Sequence, residues 1–223
     1  MMPMFPLGSV LFPHMPITLR IFEERYLKLL GDMMEAEDPE FGIVLIERGQ
    51  EVGGGEKRFA LGTTARVAQI GSSEDFMGLV AAGGQRFRVT EWMAEFPYPQ
   101  ASVEFLPDLQ WSAEDEPLRV EVETQVRRLL AFASEFGNLP WDPSIELSDD
   151  PVASSWQIAG ILPVGQLDQM DLLKSETVHE LLTATLALTL EADQTLRNSL
   201  LNQAEDDEHD DLNPEDLNTG DTD

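Results

Sequence analysis

The sequence has no cysteine, and only three histidines and three lysines occur among its 223 residues. The absence of cysteine excludes disulfides, a thiol nucleophile and thiolate metal sites. His179 precedes Glu180, but no second histidine follows one turn later, so the zinc-binding helix signature fails. We therefore interpret His14 and His179 as surface or cap histidines, and we predict no metal site.

Positive charge is scarce throughout the chain. Lys and Arg total 14 against 42 Asp and Glu, which gives a formal net charge of −28. Residues 1–111 carry 9 basic and 16 acidic groups, residues 112–201 carry 5 and 16, and residues 202–223 carry none and 10. No segment offers the basic face that binding to nucleic acid or to an anionic membrane requires. The sequence predicts neither a nucleic-acid nor a membrane partner.

Long apolar runs are also missing. No run approaches the roughly 18 residues that a membrane-spanning helix needs. The opening residues, MMPMFPLGSVLF, lack the basic start and the long apolar core of a secretory signal. We expect a cytoplasmic location.

The usual motifs of catalysis and cofactor binding are not found. The glycines at 53–55 are followed by Glu56 and Lys57, but the spacing is not that of a P-loop and no Ser or Thr follows the lysine. Carboxylate pairs such as Asp149 and Asp150 are frequent because the whole chain is acidic, so none stands out as an acid/base pair. We predict a protein that is not an enzyme, with no catalytic residue, no cofactor and no cofactor-binding residue.

What the first 110 residues do contain is a series of short strands around one helix. Apolar segments separated by Gly and Pro predict strands at residues 10–12, 17–19, 42–47, 63–70, 78–82, 85–92 and 100–106. Pro13 and Pro16 argue that the first of these are edge or bulged strands. Helical spacing predicts one helix with an apolar side formed by Phe22, Tyr26, Leu29, Leu30 and Met33. The pattern favours a compact antiparallel barrel or sandwich.

The pattern becomes helical after residue 111. Helices are predicted from residue 118 to near Gly137, over 151–161, from Pro163 with Leu167, Met170 and Leu173 inward, and over about 176–201. The fold class is α+β: a β-rich, barrel-like subdomain at 1–110 with one helix, followed by an α-helical bundle subdomain at 111–201.

The segment 202–223 is predicted to be a disordered acidic tail. It is poor in large apolar residues, and its like charges repel one another. A solubilising tail and a docking peptide for a basic partner are the two roles that this composition allows. His209 lies among carboxylates there, but an unfolded segment does not fix the ligand geometry of a metal site.

Three motifs follow one another along the chain. The first comprises Pro6-Leu7, Leu11-Phe12-Pro13 and Phe22-Glu23-Glu24-Arg25-Tyr26; the second comprises Leu61-Gly62-Thr63 and Gly84-Gln85-Arg86-Phe87-Arg88-Val89; the third is Ile161-Leu162-Pro163-Val164 with Leu167, Met170, Leu172 and Leu173 behind it. Together they resemble the N-terminal, substrate-binding domain of Lon-type proteases over roughly residues 3–201. The resemblance implies a PUA-like β-barrel with a helical bundle, in a stand-alone form that lacks the ATPase and protease domains.

The residues that carry this resemblance have structural roles as well. We expect Phe12, Phe22, Tyr26 and Phe87 to lie in the core. We expect Arg25 and Arg86 to pair with carboxylates or carbonyls within the fold. None of these residues is assigned to a binding site, and the substrate-binding residues stay unknown at this stage.

The function that the resemblance implies is substrate capture. The leading hypothesis is a non-enzymatic module that recognises unfolded or exposed polypeptide segments, as an adaptor in protein quality control with a protease or chaperone as its partner. A groove between the two subdomains, with an exposed edge strand or adaptable Met side chains, is the expected contact surface. Two alternatives stay open: a small-molecule-binding protein or enzyme that uses this groove, and a scaffold or oligomerisation protein that associates through its helical part.

Overall fold

The computed structural model describes residues 1–35, 37, 39–48, 57–72, 76–93 and 95–210. Six strands come first: β1 Met2–Leu7, β2 Pro16–Ile21, β3 Glu40–Arg48, β4 Lys57–Ser72, β5 Met77–Trp92 and β6 Gln100–Phe105. Helix α1, Glu24–Met34, lies between β2 and β3. Four helices follow the strands: α2 Glu116–Ser134, α3 Pro151–Ile161, α4 Gln166–Leu173 and α5 Val178–Asp210, with a short 3₁₀ turn, Ala113–Asp115, before α2. The expected α+β class, with strands preceding helices, is confirmed.

Strand β5 organises the sheet. One of its edges pairs with β4, from Met77 opposite Ser72 to Arg88 opposite Leu61. Its other edge is shared, because β2 pairs with residues 77–82 and β6 pairs with residues 87–92. Strand β6 also pairs with β1, β1 runs parallel to β3, and β3 pairs with β4. The pairings therefore form a circuit through β5, β4, β3, β1 and β6, and β2 is attached to β5 outside that circuit.

The observed strands differ from the predicted ones at several places, including β4, which begins at Lys57 rather than at residue 63. Residues 10–12 belong to an irregular turn, and the first strand is instead β1, whose Pro3 and Pro6 weakened its strand signal. The two strands predicted at 78–82 and 85–92 are one continuous strand, β5, which passes through Gly83 and Gly84. The two glycines were interpreted as a break between strands. In the structure, glycine at this point of β5 allows the close approach of a neighbouring segment.

Helix α1 begins later than its apolar pattern suggested. Tyr26, Leu29, Leu30 and Met33 are buried as predicted, but Phe22 precedes the helix and is 57% exposed. The core assignment of Phe22 is thus wrong, whereas Phe12, Tyr26 and Phe87 are buried as expected. The spacing of four residues between Phe22 and Tyr26 resembles a helical repeat, but the helix starts between them at Glu24.

The four later helices follow their predicted pattern with small shifts. The bounds of α3 agree with the prediction. The Asp150 carboxylate accepts a hydrogen bond of 2.7 Å from the Ala153 N–H and thereby caps the helix. Helix α4 begins after Gly165 rather than at Pro163, and Leu167 is exposed rather than inward. Helix α5 continues to Asp210, so it includes the first residues of the segment predicted as a disordered tail. Residues 211–223 lie outside the described residues.

One hydrophobic core joins the strands to the helices. A single cluster of buried side chains includes Phe5 and Phe41 from the sheet, Leu130 from α2, Trp156 from α3 and Leu181 from α5. A smaller cluster of Met4, Val44, Phe87 and Ala101 joins side chains from four strands of the circuit, β1, β3, β5 and β6. The predicted boundary at residue 110 falls between β6 and α2, and the division into two subdomains stays a prediction.

The turn at residues 12–15 docks against β5 at Gly83. The His14 N–H donates to the Gly83 carbonyl and the Gly83 N–H donates to the Met15 carbonyl, each at 2.8 Å. His14 adopts a positive φ of 61°, which few residues other than glycine do. A Cβ atom added at Gly83 would lie only 2.1 Å from the Phe12 carbonyl oxygen, so this contact requires glycine.

We expect Gly83→Ala to lower the free energy of unfolding by about 2–3 kcal/mol, because the turn must move and release its hydrogen bonds. Gly71→Ala is the matched control, since Gly71 also lies in a strand but a Cβ added there meets nothing within 4 Å. Urea denaturation of both variants measures the difference. Equal stability of the two variants would show that the turn does not depend on this close approach.

Candidate functional site

The junction between sheet and helices is occupied by the side chain of Arg86. This residue on β5 is only 5% exposed. Its guanidinium donates hydrogen bonds to the carbonyls of Leu173 at 2.8 Å, Ser175 at 2.6 Å and Pro107 at 3.3 Å. It also lies 5.0 Å from the centre of the Trp156 ring. The expected pairing of Arg86 with carbonyls is confirmed.

The position of Arg86 suits its charge. Leu173 is the last residue of α4, where backbone carbonyls lack helical partners and the helix dipole favours a cation. Burial lowers the pKa of Arg86, and the negative charges of Asp108, Glu176 and Glu180 act in the opposite direction. Arg86 therefore joins β5 to the end of α4 as a structural residue.

Two clefts flank Arg86 at this junction. One, of about 240 Å³, is lined by His14, Arg86, Asp108 and Trp156 among others. The other, of about 350 Å³, is lined by Arg86, Arg88, Lys174 and Glu176 with some apolar contacts. The buried side chain of Arg86 thus lies between two small clefts, where a groove between the two parts was expected.

A larger cleft of about 360 Å³ opens between β1 and β2, which we call the strand cleft. Phe5, Pro6 and Leu7 of β1 form one side, and residues 17–21 of β2 form the other. The rings of Phe5 and Tyr26 stack at the base with centroids 4.0 Å apart. Exposed Phe22 lies at the border. Strand β6 bridges β5 and β1, whereas β2 pairs with β5 alone among the described strands.

The register of β2 shows which of its residues face this cleft with their main chain. The Gly83 N–H donates to the Met15 carbonyl, and Pro16 stands opposite Ala82. Because hydrogen-bonding groups alternate between the two edges of a strand, the main chain of Thr18 and Arg20 faces the open edge. Pro16 lies on the same alternation and has no N–H to leave unpaired, as is usual for proline in edge strands.

The side chains of β2 alternate in the same way. Leu19 and Ile21 are buried, whereas Pro16, Thr18 and Arg20 are exposed. Arg20 lies 5.2 Å from the centre of the Phe76 ring. The open edge therefore offers main-chain hydrogen-bonding groups next to an apolar cleft, which is the arrangement that an added strand requires.

Other residues considered in the sequence have structural roles. Arg25 donates to the Glu23 carboxylate at 3.1 Å and lies 4.5 Å from the Tyr26 ring centre, so its expected pairing is confirmed. Met4, Met15 and Met33 are buried in the core and offer no binding surface.

The histidines form no metal site within the part of the chain that the structure describes. His179 contacts Asp115, with 2.8 Å between Nδ1 and Oδ1. Among the described residues, no group of three or more His, Cys, Asp or Glu could hold a metal ion. The side chain of His209 lies outside those described. No helix in the described ranges is long and apolar enough to span a membrane.

The sequence did not reveal the strand cleft, because its two sides belong to strands that do not pair with each other. Pro13 and Pro16 did indicate that the strand predicted at 17–19 is an edge or bulged strand. The exposure of Phe22 had no signal of its own in the sequence.

Comparison with known proteins defines the class of this fold. The crystal structure of a Lon N-terminal domain protein from Xanthomonas campestris is similar, with a TM-score of 0.58 and 26% identity over 83% of this chain and 96% of that one. The N-terminal domain of a Lon protease from the Mycobacterium avium complex has a TM-score of 0.59 at 15% identity, over 86% of this chain and 97% of that one. The fold is that of Lon N-terminal domains.

The family model of the ATP-dependent protease La (LON) substrate-binding domain matches residues 1–190. The chain belongs to this family and is a substrate-recognition module of that type. Lon protease 2 of Myxococcus xanthus is 30% identical over 139 residues, which are 60% of this chain but only 17% of that protease. The similarity therefore covers a small part of the full-length relative.

We expect Arg86→Met to lower the free energy of unfolding by about 3 kcal/mol, because three carbonyls at the junction lose a charged donor. Arg88→Met is the control: Arg88 lies two residues further along β5 and is exposed. Urea denaturation followed by tryptophan fluorescence measures both. If Arg88→Met lowered the free energy of unfolding by a similar amount, the hydrogen bonds of Arg86 would not explain the effect of Arg86→Met.

Proposed function

We propose that this chain binds exposed, extended apolar segments of other polypeptides at the open edge of β2. The observation that carries the proposal is that an apolar cleft at residues 17–22 lies next to a strand edge that pairs with no other described strand. Membership of the Lon substrate-binding family supports it, since that family is described by substrate binding.

The binding mode is addition of a strand. A captured segment pairs with the main chain of Thr18 and Arg20, which supplies affinity without sequence preference. Alternate side chains of the segment point into the strand cleft and contact Phe22, Phe5 and Tyr26. The cleft volume of about 360 Å³ suits one or two apolar side chains at a time. Such a surface prefers unfolded chains, because folded proteins seldom expose an unpaired apolar strand.

The proposed role requires no chemical step. The module captures a chain, and a protease or chaperone then acts on it, so that the protein serves as an adaptor in quality control. The net charge of −28 disfavours acidic chains as cargo and leaves neutral or basic apolar segments as the preferred ones.

We expect Phe22→Ser to weaken binding of a labelled peptide rich in Val, Ile and Phe by about tenfold, since a phenyl ring contributes roughly 1.5–3 kcal/mol when it is buried. Phe136→Ser is a matched control, because Phe136 is 53% exposed and lies beyond α2, away from β2. Fluorescence anisotropy measures both affinities. The same peptide with alternate backbone nitrogens methylated should not bind, since it cannot pair with the edge.

Equal affinity of the two variants, or undiminished binding of the methylated peptide, would reject capture at β2. If the wild-type protein binds no polypeptide, the small-molecule alternative becomes the stronger one.

A further inference from the structure

A further cavity lies in the helical half, far from β2 in the sequence. It measures about 540 Å³, and we call it the helical groove. Its apolar lining includes Leu129 of α2, Leu139, Val164, and Leu188, Ala192 and Leu196 of α5. The groove runs beside α5 where α2 comes to an end.

Helices α2 and α5 run side by side in the same direction. Asp115 and His179 are in contact at their beginnings, and Arg197 lies 4.5 Å from the Phe132 ring centre near the end of α2. Helix α2 ends at Ser134, whereas α5 continues to Asp210. The groove therefore lies between the last turns of α2 and the middle of α5, and α5 continues past the end of α2.

The wall formed by α5 has the spacing of a helix-packing surface. Leu188, Ala192, Thr195 and Ser199 line the groove and follow one another at intervals of four, three and four residues. This is the spacing of positions that face a partner helix, and they extend over about 16 Å, or three turns. Small residues at the centre of the wall allow a second helix to approach closely.

The charges of the groove are all negative. Asp168 and Glu191 line it, and neither carboxylate has a hydrogen bond or ion pair with another described residue. No Lys, Arg or His in the described part of the chain lines it. The nearby carboxylate of Asp193 differs, since Arg197 binds it at 2.8 Å and thereby lowers the pKa of Asp193. The groove thus lacks, within the described ranges, the cations that would match its two carboxylates.

We propose that the helical groove binds an amphipathic helix of a partner protein, with an apolar stripe flanked by lysine or arginine. The apolar stripe covers the Leu and Ala side chains, and the flanking cations pair with Asp168 and Glu191. Both a second copy of this chain and its own acidic segment 202–223 carry the same sign of charge as the groove. Charge complementarity therefore selects a basic partner. This surface is separate from the strand cleft, so a captured chain and the partner helix do not compete.

The test uses two labelled synthetic peptides that form helices, with leucines on one face and either lysines or glutamates beside them. Fluorescence anisotropy with the full chain should give saturable binding of the lysine peptide and none of the glutamate peptide. Ala192→Trp fills the groove, and the double variant Asp168→Asn, Glu191→Gln removes its charge. Each variant should bind the lysine peptide with an affinity about tenfold lower than that of the wild type, or lower still.

Matched controls lie outside the groove. Ala187→Trp makes the same change at an exposed position of α5 that does not line the groove, and Glu121→Gln with Asp149→Asn removes two exposed carboxylates elsewhere. Both should bind the lysine peptide as the wild type does. Because the charge variant alters no packing, it remains informative even if Ala192→Trp fails to fold.

Three results would overturn the proposal: no binding by the wild type, equal binding of the glutamate peptide, or equal weakening by the control variants. A dimer in sedimentation that Ala192→Trp abolishes would also overturn it, because a second copy would then occupy the groove. Phe22→Ser should leave the binding of the lysine peptide unchanged. A negative result for the helical groove can therefore be distinguished from a negative result for binding at β2.

Discussion

The buried guanidinium of Arg86 is the constraint on which the arrangement of sheet and helices depends. A buried cation is costly unless hydrogen bonds satisfy it, and its partners here are carbonyls from the end of α4 and from the segment after β6. These carbonyls come together only when the helices lie in place against β5. The side chain of Arg86 therefore completes its hydrogen bonding with carbonyls that the helical half supplies. One continuous core of apolar side chains runs across the same boundary. The two parts stabilise each other, although their sequence patterns are distinct.

Local patterns in the sequence predicted most of the elements, but not how distant elements meet. The predicted limits of α3 agree with the structure, in which Asp150 caps the helix and Pro151 is its first residue. Strand β1 was missed because Pro3 and Pro6 lower its strand propensity, whereas in the fold it runs parallel to β3 within the sheet. Phe22 was misassigned because periodicity alone does not locate the first residue of a helix. The strand cleft forms because β2 pairs with β5, while β6 connects β5 to β1. This arrangement is a property of the sheet topology and not of any one segment.

The two proposed surfaces differ in the chemistry that they present. At β2 the main chain itself is available, so recognition there depends on an extended backbone and on apolar side chains of any kind. In the helical groove the backbone is already hydrogen-bonded within α5, so recognition depends on side chains and on two carboxylates. A general surface and a selective surface on one chain fit a protein that accepts varied cargo and a defined partner. The acidic composition affects both, because it repels chains of its own sign.

Strand β5 connects the edge of the strand cleft to the surroundings of Trp156, whose fluorescence can be measured. Ala82, which pairs with Pro16 at the edge of the strand cleft, is four residues from Arg86 on the same strand. The guanidinium of Arg86 rests on the indole ring of Trp156, and Phe12 from the docked turn lies 6.0 Å from that ring on centroids. Any displacement of β5 or of the turn when a segment joins β2 would alter the surroundings of this indole. Tryptophan emission would thus register occupancy of the edge without any attached label.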